Sequence, residues 1–249
     1  MISHGVHPVE RRKTNYSTRT FGATVANYVP FSLDAFNDFP NQNQDGEPQG
    51  CTWYTQNQLV QDHDKTVHDR HVIRDATLSV EGQTDGPCAV TDSLAAAKES
   101  YDLGPYFQLE EHGQDWFDSC IAVMQATGRT FSIASPWFPA FEAPMFGVMP
   151  EVFPAKWQQG VSGHNHKIYG LAIVNNEPVL VGKSWQGLGF GDNGKHYWTR
   201  RAFNALMDIQ GTGAFTIAPW DSSVLTVQYS IIWRLKKVVR LLLRQLSMR

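Results

Sequence analysis

The pattern of apolar and polar positions divides the chain into recognisable elements. After Gly50, residues from Cys51 to about Asp62 predict a helix that opens on the cysteine, with Trp53, Leu59 and Val60 available to a core. A second helix is expected from Asp92, capped by Thr91 or Asp92, through Leu94-Ala95-Ala96-Ala97 to about Tyr101. A third runs from about Asp115 to Ala126 and is stopped by Gly128. Thr130 to Ala134 then alternates as a strand. Pro136, Pro139, Pro144, Pro150 and Pro154 turn the next stretch into a long loop. Ile168 to Val174 and Val179 to Lys183 form a hairpin about Asn175-Asn176, a pair that tolerates positive φ.

The two ends differ from this central pattern. Residues 1–27 show no sustained periodicity and carry Arg11-Arg12-Lys13 and Arg19, which reads as an extended arm. At the other end Ile231, Ile232, Leu235, Val238, Val239, Leu242 and Leu246 recur at helical spacing while basic residues fill the opposite face. The expected organisation is an arm over 1–27, a domain over 28–227 and a basic amphipathic helix over 228–249.

Composition narrows the function classes. A chain of 249 residues with 42% hydrophobic and 12% aromatic residues can build a well-buried core. Its net charge of -3 argues against general nucleic-acid binding, yet the last sixteen residues hold six basic side chains and no acid, leaving -9 for the rest. Cys51, Cys88 and Cys120 are too few for a disulfide framework. No basic region followed by an apolar run opens the chain, and no apolar segment is long enough to span a bilayer. The expected setting is therefore a reducing one, cytoplasmic or virion-associated.

Two short segments carry the chemistry. Gln49-Gly50-Cys51-Thr52-Trp53 places a thiol at a helix N-terminus, where the helix dipole favours thiolate. Gly163-His164-Asn165-His166 places an imidazole at the start of a strand. A thiolate held by a neighbouring histidine is a strong nucleophile toward a carbonyl, which points to acyl transfer and most simply to peptide hydrolysis. Strand alternation puts His164 and His166 on one face, so His166 is the alternative base.

These two segments, with the residues downstream of the second, resemble the papain-like cysteine peptidases. Gly163-His164, Ile168, Gly170, Asn175-Asn176, Pro178 and Gly191-Asp192-Asn193-Gly194 follow the pattern of the cathepsin B type. Upstream, Val29-Pro30-Phe31-Ser32-Leu33-Asp34 is similar to the start of the mature family domain, and Gln44-Asp45-Gly46 to the glutamine ahead of the nucleophile. Between Asp62 and about Gly160 almost no motif is shared. The resemblance implies an α+β fold of two lobes, a helical lobe with the Cys51 helix and an antiparallel β lobe with His164, and no cofactor.

The resemblance also implies site residues. Cys51 falls at the nucleophile and His164 at the base, because Gly170 then takes the family's glycine position. Gln44 is the side-chain oxyanion donor, with Gln49 as the fallback. The family's third member, an asparagine that orients the imidazole, is missing here. One alignment puts Lys183 in its place and the other puts Ser184, whose hydroxyl accepts a hydrogen bond from an imidazole N–H where an ammonium cannot. If the third member is lost, the competing reading is a non-catalytic papain-fold assembly protein, such as a virion or tail component.

Other features carry weaker readings. Cys88 and Cys120 are expected to be small buried apolar residues. Asp62-His63-Asp64, His68-Asp69 and His71 fit no standard metal spacing and read as a solvated loop or helix face. No Gly-rich phosphate loop followed by Lys and Ser or Thr is present. The expected partner is a peptide or protein substrate. The C-terminal helix packs on its own domain, on an assembly partner or on an anionic membrane surface.

Overall fold

Gly50 leads into helix α1 (Cys51–Asp64), which is polar along most of its length and yet buried from Cys51 through Asp62. Such a helix is stable only between two layers that satisfy its side chains. The computed structural model describes residues 28–35, 50–82, 88–101, 103, 106–109 and 115–217. The expected arm over 1–27, Gln44 and Gln49, and the expected C-terminal helix over 228–249 lie outside the described residues.

On one side of α1 stand α2 (Arg70–Glu81) and α3 (Val90–Tyr101). Asp69 caps α2 by accepting from the His71 N–H at 2.9 Å, and Gly82 closes it in the left-handed region. The apolar residues of α2 do not follow its buried face, since Val72 and Val80 are exposed while Thr77 is buried with Ile73 and Leu78. Helix α3 begins at Val90, two residues ahead of the expected start.

On the other side lies an antiparallel sheet with strand order β2-β7-β3-β4-β5-β6, and β1 added on β4. The strands are β1 (Phe31–Ser32), β2 (Tyr106–Gln108), β3 (Phe131–Pro136), β4 (Gly163–Val174), β5 (Glu177–Lys183), β6 (Lys195–Thr199) and β7 (Gly213–Ile217). The hairpin between β4 and β5 turns on Asn175 and Asn176, both at positive φ, as the sequence predicts. Gly170 is required where β1 crosses β4: a Cβ there would lie 2.4 Å from the Phe31 carbonyl oxygen. Helices α4 (Trp116–Thr127) and α5 (Arg200–Met207) cover the sheet, capped by Asp115 and Thr199.

Two cores follow from this layering. Phe117, Phe131, Ile133, Phe141, Trp198 and Phe203 fill the space between the sheet and α4 and α5. Trp53, Tyr54, Ile73 and Leu94 pack with Ala134, Trp185 and Phe215 between the helices and the sheet. The fold is α+β, with a helical lobe and a β lobe meeting along α1.

Candidate active site

Thr55, one turn into α1, ties the cysteine to the sheet. Its hydroxyl lies 2.8 Å from the carbonyl oxygen of Cys51 and 3.0 Å from that of Asn165, and it accepts the Trp185 indole N–H at 2.7 Å. Asn165 follows His164 on β4, so the helix start and the histidine strand are locked by one side chain. Cys51 and His164 are both fully buried. In such a desolvated setting electrostatic interactions are far stronger than in water.

The register of the sheet decides which residues join them. Lys167 on β4 pairs with Lys183 on β5, so both point to the same face. Ser184, one residue on, points to the other face, where His164 and His166 stand with rings parallel and centroids 6.2 Å apart. Ser184 Oγ lies 2.9 Å from His164 Nε2 and donates to Gln186 Oε1 at 3.1 Å. Gln186 in turn donates from Nε2 to Glu142 Oε2 at 2.8 Å. Trp137 packs its ring 4.3 Å from the His164 ring.

His166 is placed differently. Its Nδ1 meets His196 Nε2 at 3.0 Å, and Trp137 and Trp198 flank it. Burial pushes its pKa down to about 3 and that of His196 well below the usual histidine range. Both rings are therefore neutral at physiological pH. Gly182 is needed beside them, since a Cβ would sit 2.3 Å from His196 Nε2.

On the opposite face, the two lysines enter a buried charge cluster. Lys167 donates to Asp34 at 2.7 Å, to Asp62 at 2.8 Å and to Gln58 at 3.3 Å. Lys183 pairs with the other oxygen of Asp34. Asp62 also accepts from Thr130 at 2.9 Å and from the Ala35 N–H at 2.9 Å. Burial works to raise the Asp34 pKa, but the two lysines outweigh it and hold the carboxyl below its usual value. Burial, then repulsion from Lys167, lowers Lys183 to about 8 against the pull of Asp34.

Of the residues singled out in the sequence, His164 and Ser184 meet at 2.9 Å and Cys51 opens the helix that Thr55 ties to the His164 strand, while Lys183 faces away into the Asp34 cluster. Gln44 and Gln49 lie outside the described residues. Cys88 and Cys120 are buried in the cores, and burial raises both thiols, Cys88 to about 12 with Glu81 adding to it. Asp62 belongs to the charge cluster, His68 meets Asp64 at 2.5 Å and His71 meets Asp69 at 3.1 Å. Among the described residues no group of three or more His, Cys, Asp or Glu side chains is arranged to hold a metal ion, and no helix is long and apolar enough to cross a membrane.

Sequence reasoning misses Thr55, Gln186 as a partner of Ser184, Glu142 and the Asp34 cluster. Thr55 and Glu142 follow no spacing that marks them. Asp34 stands in a segment whose only sequence signal is its likeness to a domain start.

No protein-family model matches the sequence, and no curated protein matches it. Solved structures do. Xylellain, a cysteine protease from Xylella fastidiosa, is similar with a TM-score of 0.59 and 13% identity over 87% of this chain and 96% of that one. Digestive procathepsin L 3 of the Tenebrio molitor larval midgut gives 0.57 and 13% over 79% and 72%. Digestive procathepsin L2 proteinase from the same tissue gives 0.53 and 15% over 87% and 78%. The chain shares the papain-like fold of these proteins.

Proposed function

We propose that the protein is a cysteine peptidase that works through a Cys51 thiolate and a His164 imidazole. The observation that carries this reading is the 2.9 Å contact of His164 Nε2 with Ser184, on a strand tied through Thr55 to the helix that opens at Cys51. A hydrogen bond at Nε2 fixes the ring and leaves Nδ1 as the nitrogen that serves the thiol. Ser184 then takes the orienting role for which the papain-like pattern uses an asparagine. The finer likeness of residues 163–194 to the cathepsin B type belongs to this reading.

The chemistry follows from those roles. Cys51 sulfur attacks the peptide carbonyl, and the carbonyl electrons move onto oxygen, where the Cys51 N–H and the Gln44 side-chain amide donate to the oxyanion. Collapse breaks the C–N bond as His164 protonates the leaving amine. Water, deprotonated by His164, then attacks the thioester and releases the acid with the thiol restored.

The test is mass spectrometry after exposure to an epoxide inhibitor of the papain class at neutral pH, beside a Cys51→Ala control. Rapid single labelling at Cys51, absent from the control, is the expected result. Slow labelling spread over Cys51, Cys88 and Cys120 overturns the peptidase reading and favours an assembly role for the fold.

A further inference from the structure

The His164–Ser184 pair does not end at Ser184. Three consecutive hydrogen bonds run from His164 Nε2 to Ser184 Oγ at 2.9 Å, from Ser184 Oγ to Gln186 Oε1 at 3.1 Å, and from Gln186 Nε2 to Glu142 Oε2 at 2.8 Å. They start at a fully buried imidazole and end on the exposed carboxylate of the loop after the Pro139–Phe141 turn. From this chain we infer that Glu142 and Gln186 are positioning residues that set the tautomer of His164, and with it the nitrogen that serves Cys51. The inference rests on the peptidase reading for its catalytic consequence.

The direction of each hydrogen bond is fixed from the far end. An ionised carboxylate can only accept, so the Gln186 nitrogen must face Glu142 and donate. The amide is planar, so its oxygen then faces Ser184 and can only accept. Ser184 has one proton, which it gives to that oxygen, and only its lone pairs are left for His164. The imidazole must therefore carry a proton on Nε2, which leaves Nδ1 as the basic nitrogen. A hydroxyl by itself is both donor and acceptor and would leave the tautomer undecided. An asparagine at the same place would offer its own carbonyl as a fixed acceptor, but a serine needs the relay behind it. The one-way carboxylate at the far end supplies what the substitution of serine removes.

The relay predicts a charge-relocation rescue. Glu142→Gln replaces the one-way acceptor by an amide that can face either way, so the direction is lost although the shape is kept. Adding Gln186→Glu puts a carboxylate next to Ser184, again an acceptor only, and the direction returns.

The decisive readout is nitrogen NMR of the His164 ring in Cys51→Ala protein, at a pH where the ring is neutral, which needs no turnover. The expected result is a proton on Nε2 in the parent, a mixture of tautomers with Glu142→Gln, and a return to Nε2 in the double variant. In the Cys51 enzyme, Glu142→Gln is expected to lower kcat about tenfold at unchanged KM, with recovery on adding Gln186→Glu. An Nε2 proton that persists in Glu142→Gln, or a double variant that stays mixed, overturns the inference. If the tautomers follow the relay but the Cys51 enzyme neither labels nor turns over, the relay stands and the peptidase reading alone fails.

Discussion

Thr55 and Trp185, 130 positions apart, meet in a buried hydrogen bond of 2.7 Å. The threonine hydroxyl accepts the indole N–H and offers its single proton to the carbonyls of Cys51 and Asn165. Thr55→Val keeps the shape and removes the acceptor, leaving the Trp185 N–H buried and unsatisfied. The expected cost is about 1–3 kcal/mol of stability, read as a lower urea midpoint. Activity per folded molecule should also fall, because the helix start and the histidine strand lose their common tie. An unchanged midpoint would remove Thr55 from its place as the lobe connector.

Ser184 is the nearer test of the site. Ser184→Ala leaves His164 Nε2 without its acceptor and is expected to lower kcat by about ten- to a hundredfold, with little change in KM. Its unfolding midpoint should move far less than that of Thr55→Val. A variant with full kcat would show that the imidazole is oriented by other groups.

Acid should destabilise the protein through a pair of histidines that take no part in the proposed chemistry. His166 and His196 are buried and neutral when folded, with His166 at about 3 against an ordinary 6.5 when unfolded. Between those values the unfolded chain binds protons that the folded chain refuses. Stability is therefore full above about pH 6.5 and declines as pH falls below it, by a few kcal/mol in all. Urea midpoints at pH 7.5 and pH 5 measure this slope, and His166→Gln should flatten it. Parallel slopes in the two proteins would place the acid sensitivity elsewhere.

The Asp34 cluster predicts an asymmetry between its members. Asp34 is held in its charged form by Lys167 and Lys183, whereas the Lys183 ammonium is disfavoured by burial and by Lys167. Asp34→Asn removes the carboxylate that pairs with both buried lysines, a loss on the order of 3–5 kcal/mol. Lys183→Met removes a cation that sits uneasily and keeps the Lys167 pairs to Asp34 and Asp62, so its cost should be smaller. Equal costs in urea unfolding, or the reverse order, would refute this account.

What is legible in the sequence is local. Cys51 after Gly50, Asn175-Asn176 at a turn and Gly128 after a helix each announce their geometry through one or two residues, and the structure keeps all three. The helix at 70–81 escapes a reading by periodicity because two of its apolar residues, Val72 and Val80, are exposed while Thr77 is buried with Ile73 and Leu78. The choice between Lys183 and Ser184 turns on a single step of alignment. Only the pairing of Lys167 with Lys183 across two strands sends the lysine to Asp34 and the serine to His164. Likewise, nothing in the spacing of Glu142 and Gln186 shows that they touch.

The long separation of partners around Thr55 bears on how the protein comes into being. A ribosome releases the chain from its N-terminus, so the start of α1 is made well before the strand that carries His164. Thr55 waits 110 positions for the Asn165 carbonyl and 130 for the Trp185 indole. Until Trp185, just beyond β5, has been synthesised, the tie between α1 and the sheet is incomplete. On the peptidase reading, Cys51 therefore meets its imidazole and Ser184 only once the whole stretch from 51 to 184 has been made.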